Sequence, residues 1–250
     1  MTTTGLTSII LHDSYFRGKR TRINCNGHTN NNGDNGAGKT SALILIPIFY
    51  GQEPNKLISR AGNKSNFVEY YLPSNQSLIV YEYSRQQASN IQTYCVCLYR
   101  KRNENQYAYR FITGRADDTI FHPDIAHLFT NNDSSHDILR EIYVKDGIEV
   151  SSQIDNIIDY RDIIQGDYQN LRKRNRKSSF ITYPRAYGIA KERVQHLGVL
   201  TSVVLRHDKL LAHFKTMLVD CFLRDQISFQ QAPIHSKTND KNSHNNEGLI

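Results

Sequence analysis

One run of eight residues combines side chains and backbone that could hold a phosphate chain. It reads Gly33-Asp34-Asn35-Gly36-Ala37-Gly38-Lys39-Thr40 and satisfies G-x-x-x-x-G-K-[ST], the P-loop or Walker A pattern. Glycines adopt backbone conformations closed to other residues, so successive N–H groups can turn inward around phosphate oxygens. Lys39 would place a cation on the β- and γ-phosphates, and the Thr40 hydroxyl would ligate Mg²⁺. These eight residues and Ser41 therefore form a predicted nucleotide site.

The elements on either side must position this loop. A helix is predicted from Lys39, with its positive end directed at the phosphates. Pro47 should kink or end that helix, because proline has no backbone N–H and clashes with the preceding turn. Upstream, residues 6–33 alternate loosely and predict short strands with a turn near residues 17–19. A P-loop normally follows a buried apolar strand, but residues 28–32 are polar, so that strand is short and irregular or ends at Cys25.

An antiparallel meander is predicted between about residues 67 and 113. Three runs rich in β-branched and aromatic residues, 77–83, 91–99 and 107–113, are separated by polar turns. Five tyrosines of this region could stack on bases, but tyrosines in strands more often belong to a core: Tyr70, Tyr71, Tyr81, Tyr83 and Tyr94. Cys95 and Cys97 would share one face of a strand, and two core side chains are favoured there over a metal site.

The last third of the chain changes to a helical pattern. Apolar residues recur at spacings of three and four from 197 to 221, which resembles a heptad seam interrupted by His207. An amphipathic core helix and the start of a coiled coil both fit this pattern. The predicted parts are therefore a head over residues 1–185, an exit helix over 186–228 and a disordered tail over 229–250.

Composition limits the class of protein. The 250 residues carry a net charge of +7, and residues 167–215 alone hold eleven Lys or Arg against three acids. A concentrated basic stretch indicates a polyanion such as DNA, although a solvated helix face would look the same. No apolar run approaches the length of a membrane span, and the start lacks the layout of a secretory signal. Four cysteines without such a signal predict reduced thiols and a cytoplasmic location.

The tighter form G-x-N-G-x-G-K-T, about thirty residues from the start, resembles the ATPase heads of SMC-like proteins. That group includes MukB- and JetC-type condensins and the RecF and RecN repair ATPases. The resemblance implies an α/β fold, namely a P-loop NTPase of the ABC/SMC type with an antiparallel β-subdomain and a long helix that begins a coiled coil. It also implies ATP and Mg²⁺ as ligands.

Two further positions carry the resemblance. The run 56–63 lies where such heads have an arginine-bearing loop, which would direct Arg60 to the γ-phosphate or DNA. The run 163–166 looks like the glutamine loop, which would give Gln165 a catalytic place beside Mg²⁺ and the attacking water. A surface helix over 159–161 is the alternative for that region. DNA would follow a compact basic run on the head: Arg172, Lys173, Arg174, Arg176 and Lys177.

Three features of complete heads are not evident in these residues: the Ser-Gly-Gly signature, the Walker B Asp-Glu and the switch histidine. Asp220 follows apolar residues as a Walker B acid would, but Cys221 stands where the catalytic Glu belongs. The resemblance therefore implies half a head, inactive in hydrolysis when isolated, whose partners are a second head or the missing half. A nucleoid-associated location would fit such a protein.

The sequence thus predicts ATP binding coupled, in a complete head, to DNA clamping or movement, as in chromosome organisation, repair or anti-plasmid defence. A complete small P-loop kinase or GTPase with Asp220 as its acid is the first alternative. A non-catalytic interaction module that keeps the P-loop for its fold is the second.

Overall fold

The computed structural model describes residues 4–25, 39–58, 66–87, 90–102, 104–131, 133–144, 147–174 and 178–189. Its strands, in chain order, are β1 (Gly5–His12), β2 (Arg20–Asn24), β3 (Leu78–Gln87), β4 (Asn90–Arg100) and β5 (Tyr107–Thr113). Its helices are α1 (Lys39–Phe49), α2 (Pro54–Leu57), α3 (Phe67–Tyr71), α4 (Pro123–Thr130), α5 (Ser135–Val144), α6 (Ile157–Ile164), α7 (Tyr168–Arg174) and α8 (Ser178–Tyr187).

The five strands form one antiparallel sheet in the order β2-β1-β3-β4-β5. Residues directly opposite one another in antiparallel strands point to the same face of the sheet. One such row crosses all five strands and consists of Ile23, Ile9, Tyr81, Val96 and Phe111. The register therefore aligns apolar side chains from edge to edge.

Helices cover both faces of the sheet. The face that carries Ile9, Tyr81 and Phe111 packs against α1, α3 and the layer formed by α6, α7 and α8. The opposite face, which carries Val80 and Cys97, packs against α4 and α5. A sheet covered on both faces buries the side chains of its central strands, here residues 78–84 of β3 and 94–99 of β4, whereas the ends of these strands at 86–87 and 90–92 are exposed. This explains why the strand sequences are almost continuously apolar rather than alternating.

The predicted meander is confirmed at its three strands, which are β3, β4 and β5. Residues 67–71, at the start of the predicted region, form α3 instead. The strands do not make a separate subdomain, because β1 pairs with β3 and so joins β1 and β2 to the same sheet. The predicted turn near residues 17–19 connects β1 and β2.

The prediction for Pro47 was only partly right, since α1 continues through it and ends at Phe49. A proline near the last turn removes one hydrogen bond but leaves few further residues to be disrupted. Pro184 has a similar place in α8, which ends at Tyr187.

The exit helix was predicted to start at Ala186. Ala186 and Tyr187 are instead the last residues of α8, and Gly188 and Ile189 are not helical. The remainder of that predicted helix and the predicted tail lie outside the described residues. Among the helices that are described, none combines the length and the apolar character needed to cross a bilayer.

Candidate functional site

Helix α1 contains Lys39 and Thr40, the last two residues of the P-loop pattern, in agreement with the helix predicted there. Its inner face is fixed on the sheet, because Leu45, Ile48 and Phe49 are fully buried. The Phe49 ring lies 5.6 Å from the Tyr81 ring and 5.4 Å from the Tyr83 ring, measured between centroids. The first turn contains no acidic residue. The positive end of α1 is therefore held in place by the core and is not neutralised by a carboxylate of its own first turn.

Most of the predicted nucleotide site lies outside the described residues. This applies to Gly33, Asp34, Asn35, Gly36, Ala37, Gly38 and Arg60. The backbone of Lys39 and Thr40 forms the start of α1, and Ser41 is the first residue of the helix whose side chain is described.

Ser41 connects the first turn of α1 to helix α3. Its hydroxyl lies 3.1 Å from the hydroxyl of Tyr70, and its carbonyl oxygen accepts a hydrogen bond of 2.8 Å from the hydroxyl of Tyr71. Burial raises the pKa of Tyr71, so its hydroxyl stays protonated and remains a donor. Two tyrosines of α3 therefore hold the helix turn that follows the P-loop.

Four aromatic residues, which we call the aromatic cluster, lie beside this turn: Tyr15, Phe16, Tyr70 and Tyr71. The Tyr15 ring makes edge contacts with Phe16 at 4.8 Å and with Tyr70 at 5.4 Å between centroids. Tyr71 is buried, whereas Phe16 is 42% exposed. Sequence reasoning considered Tyr70 and Tyr71 but missed Tyr15 and Phe16. The available signal was an aromatic pair in the turn between two strands, where polar residues are more common.

The loop that carries Tyr15 and Phe16 is fixed by short hydrogen bonds. Asp13 has a positive φ of 42°, which is uncommon for a residue with a side chain. Its carboxylate accepts from the Gly18 N–H at 2.6 Å and also from the Ser74 hydroxyl. Its carbonyl oxygen accepts from the Ser77 hydroxyl at 2.5 Å. The turn is therefore tied to the segment that follows α3.

The opposite end of α1 is attached to helix α6. The Tyr160 hydroxyl donates to the carbonyl oxygen of Phe49 at 2.6 Å, and the Gln165 side-chain amide donates to the carbonyl oxygen of Tyr50 at 2.7 Å. These bonds satisfy carbonyl groups that have no partner within the helix. Gly51 follows with a φ of 90°, and a Cβ added there would lie 2.5 Å from the Arg161 side chain.

This geometry is incompatible with the role predicted for Gln165. The residue caps α6 and contacts Tyr50, just beyond the last residue of α1. With a rise of 1.5 Å per residue, the end of α1 is about 15 Å from Thr40. Gln165 therefore cannot reach an Mg²⁺ ion held by Thr40, and at 2% exposure it is a structural residue. The surface-helix alternative for residues 159–161 is also wrong for Tyr160, which is fully buried.

The described residues of the predicted DNA-binding run are one ion-paired arginine and two further exposed cations. Arg174 forms ion pairs with Asp159 and Asp162, and the Asp162 side chain is only 4% exposed. Its charge is thus engaged in ion pairs within the protein although its side chain is 40% exposed, and its assignment to a DNA surface stays a prediction. Arg172 and Lys173 are exposed on α7. Arg176 and Lys177 lie outside the described residues.

Cys95 and Cys97 are fully buried in the face that packs against α4 and α5, as the core interpretation predicted. Burial raises the pKa of both thiols. Protonated buried thiols are poor metal ligands. Within the part of the chain that the structure describes, no three His, Cys, Asp or Glu side chains gather where they could hold a metal ion.

The described residues define an α/β protein in which a P-loop sequence leads into a helix seated on an antiparallel sheet. A family model matches residues 10–242, so the chain belongs to that family, which is described as a protein of unknown function (DUF3584). No curated protein and no solved structure matches the chain.

Proposed function

We propose that this protein binds ATP with Mg²⁺ at residues 33–41, as part of an SMC-like ATPase head. The observation that carries the proposal is the order along the chain: residues 33–40 satisfy the P-loop pattern, and the last two of them already belong to helix α1. A phosphate-binding loop requires this order, because the helix directs its N–H groups and its positive end at the anion.

The packing of α1 supports the same site. Phosphate binding by backbone groups is strongest when these groups are held in place before the ligand arrives. The buried residues Leu45, Ile48 and Phe49 fix the helix to the sheet, and Ser41 fixes its first turn to α3. The helix axis is thus set by the core and does not depend on the nucleotide.

Binding and turnover are separate parts of the proposal. Hydrolysis needs a residue that positions the attacking water, and the acid Asp220 is followed by Cys221 rather than by Glu. Gln165, the residue predicted for that role, is located at the far end of α1. We therefore expect ATP binding without rapid turnover, whereas a complete kinase or GTPase would turn over on its own.

The test is isothermal titration of ATP and Mg²⁺ into the wild type and the Lys39→Ala variant. Loss of a charge-assisted contact to phosphate should weaken binding roughly ten- to hundredfold. Lys19→Ala is the matched control, because Lys19 is exposed in the turn between β1 and β2, and its ATP affinity should equal that of the wild type. Equal affinities for all three proteins would remove the P-loop assignment.

DNA as a partner is the second part of the proposal. It rests on the basic segment 167–215 and on the resemblance to SMC-like heads, with Arg172 and Lys173 as its exposed cations on α7. A double Arg172→Ala/Lys173→Ala variant should lower the slope of log affinity against log salt by about two for duplex DNA. An unchanged slope in a titration across salt concentrations would exclude α7 from the interface.

A further inference from the structure

We propose that a cavity beside helices α7 and α8 binds one nucleotide of a single-stranded nucleic acid, with its phosphate on Arg85 and Arg185 and its base on Tyr168. The inference rests on the nucleic-acid part of the proposed function and deepens it, because it names the form of the strand and the place where it binds. It does not depend on the P-loop, and the three side chains that carry it belong to the described residues.

The cavity lies between the end of β3, the start of α7 and the end of α8, and its volume is about 410 Å³. Sites for small molecules have volumes of about 300–1,000 Å³, so the cavity has room for one nucleotide. The described residues that line it include two arginines and no acid. A phosphate group in the cavity would therefore meet cations and no lining carboxylate.

The guanidinium of Arg85 is held in place by contacts within the protein. Its Nη1 donates to the carbonyl oxygen of Ala186 at 2.6 Å, and its Cζ lies 5.7 Å from the centroid of the Tyr94 ring. The Tyr83 hydroxyl donates to the carbonyl oxygen of Tyr187 at 2.6 Å, so β3 holds the end of α8 at two points. A guanidinium has five N–H donors, and the bond to Ala186 uses one of them. Arg85 can therefore bind a phosphate and keep its structural contact.

Arg185 supplies the second cation from the end of α8. Its side chain is exposed, and neither Arg185 nor Arg85 forms an ion pair with another described residue. The turn after α8 is closely packed, because a Cβ added at Gly188 would lie 2.4 Å from the carbonyl oxygen of Pro184. Arginine binds phosphate oxygens through two parallel hydrogen bonds. Two such side chains at one cavity suit a phosphodiester group.

Tyr168 offers an aromatic ring at the same cavity. It is the first residue of α7, and it is 45% exposed although it lines the cavity. Its N–H donates to the carbonyl oxygen of Gly166 at 2.9 Å, and the positive φ of 69° at Gly166 suits a glycine. A base can stack on an aromatic side chain only when it is unpaired and accessible, as in a single strand. An exposed ring beside two cations therefore favours a single strand over a duplex.

The strand would continue along α7. Arg172 lies four residues after Tyr168 and hence on the same face of the helix, and both Arg172 and Lys173 are exposed. The acid next to Tyr168 in the chain, Asp167, accepts hydrogen bonds from the N–H and the side-chain amide of Asn170 and does not line the cavity. Proteins that bind single strands combine cations along the backbone with aromatic rings for the bases. This face of α7 provides both.

The experiment measures fluorescence anisotropy with three labelled ligands of equal length: single-stranded oligothymidine, the same backbone without bases, and duplex DNA. Arg185→Ala should weaken both single-stranded ligands about tenfold and lower the slope of log affinity against log salt by about 0.7. Tyr168→Ala should weaken oligothymidine about tenfold and leave the base-free strand unchanged, whereas Tyr168→Phe should keep the wild-type affinity for both.

Arg140→Ala and Tyr143→Ala are the matched controls. Both residues are exposed on α5, which packs on the other face of the sheet, and neither variant should change the affinity for oligothymidine. A further variant reports on stacking directly. The chain contains no tryptophan, so Tyr168→Trp introduces a single fluorophore, which oligothymidine should quench and the base-free strand should not.

Unchanged oligothymidine affinity in Arg185→Ala or in Tyr168→Ala would overturn the inference, as would tighter binding of the duplex than of the single strand by the wild type. An equal loss of both single-stranded ligands in Tyr168→Ala would refute stacking and would also overturn it. If Arg172→Ala/Lys173→Ala lowers the salt slope for duplex DNA while the cavity variants bind oligothymidine normally, the DNA surface stands and the cavity site is refuted. If the wild type binds no nucleic acid, both are refuted.

Discussion

The two ends of helix α1 have opposite environments. At the first end, a glycine-rich sequence precedes the helix, the first turn has no acid, and the partly exposed aromatic cluster lies beside Ser41. At the second end, the carbonyl groups of Phe49 and Tyr50 accept hydrogen bonds from buried side chains of α6 and its cap. The first end carries the proposed phosphate site, and the second end has its acceptors satisfied within the protein.

We therefore expect the first end of α1 to determine nucleotide binding and the second end to hold the helix in place. A helix can present its N–H groups to an anion only if its axis is fixed, and α6 holds α1 about 15 Å from Thr40, a residue of the proposed phosphate site. Substitutions at the second end should therefore reduce stability and leave nucleotide affinity unchanged in the folded protein. Substitution of Lys39 should weaken nucleotide binding and leave stability unchanged. Three variants, at Gly51, Arg174 and Tyr160, test whether substitutions around the second end reduce stability.

The largest effect is expected at Gly51. A Cβ added there would lie 2.5 Å from the Arg161 side chain and 2.8 Å from its Cα, at a φ of 90°. Backbone strain and overpacking together should lower the free energy of unfolding by about 3 kcal/mol in Gly51→Ala. Gly18→Ala is the matched control, because Gly18 has a φ of 64° but nothing within 4 Å of its added Cβ.

Urea unfolding of both glycine variants provides the measurement. Gly18→Ala should lower the free energy of unfolding by only about 1 kcal/mol, because the left-handed backbone is the only source of strain there. If Gly51→Ala and Gly18→Ala lower the free energy of unfolding equally, the close packing between Gly51 and α6 adds nothing to the effect of the backbone strain.

The next effect is expected at Arg174. Arg174→Ala removes the cation that pairs with Asp162, whose side chain is 4% exposed. Removal of one partner of a fully buried pair is strongly destabilising, but the Arg174 side chain is 40% exposed, so we expect a smaller loss of about 2 kcal/mol. Arg172→Ala, on the exposed side of the same helix, should change stability by less than about 0.5 kcal/mol.

Chemical unfolding of the two arginine variants distinguishes a structural cation from a surface one. Equal stabilities would mean that the ion pairs of Arg174 contribute nothing measurable. That result would return Arg174 to the set of residues free to bind DNA.

The smallest effect is expected at Tyr160. Tyr160→Phe keeps the ring, which stacks on Tyr109 at 3.9 Å, and removes only the hydroxyl that donates to Phe49. Loss of the hydrogen bond to the Phe49 carbonyl should lower the free energy of unfolding by about 1 kcal/mol. Tyr143→Phe, at a half-exposed tyrosine of α5, should be neutral. Thermal unfolding compares the two, and a neutral Tyr160→Phe would show that Gln165 alone suffices to hold this end of α1.

The fold was predictable where a local pattern and tertiary packing agree. The three strands of the meander are rich in β-branched and aromatic residues, and burial on both sheet faces requires such residues. The helical state of residues 39 onward was predictable, because a P-loop pattern leads into a helix. The pairing of β1 with β3 was not predictable, because strands some seventy positions apart in sequence leave no local signal of their pairing.

The phosphate site stays a prediction, because residues 33–38 lie outside the described residues, whereas the contacts around α1 could not be predicted from the sequence. Gln165 was placed beside Mg²⁺ by resemblance, but a linear sequence does not show which end of α1 it meets. Tyr15 and Phe16 were missed because their position beside the first turn of α1 depends on Tyr70 of α3, which contacts both Tyr15 and Ser41. The role of Arg174 was likewise hidden, since its partners Asp159 and Asp162 belong to another helix.

The most direct test of this account is the ATP affinity of Lys39→Ala relative to the wild type and Lys19→Ala, measured by titration calorimetry with Mg²⁺ present. The account predicts that the wild type and Lys19→Ala bind alike and that Lys39→Ala binds roughly ten- to hundredfold more weakly, with its unfolding midpoint unchanged. Equal ATP affinity in all three proteins, or no ATP binding by the wild type, would contradict it.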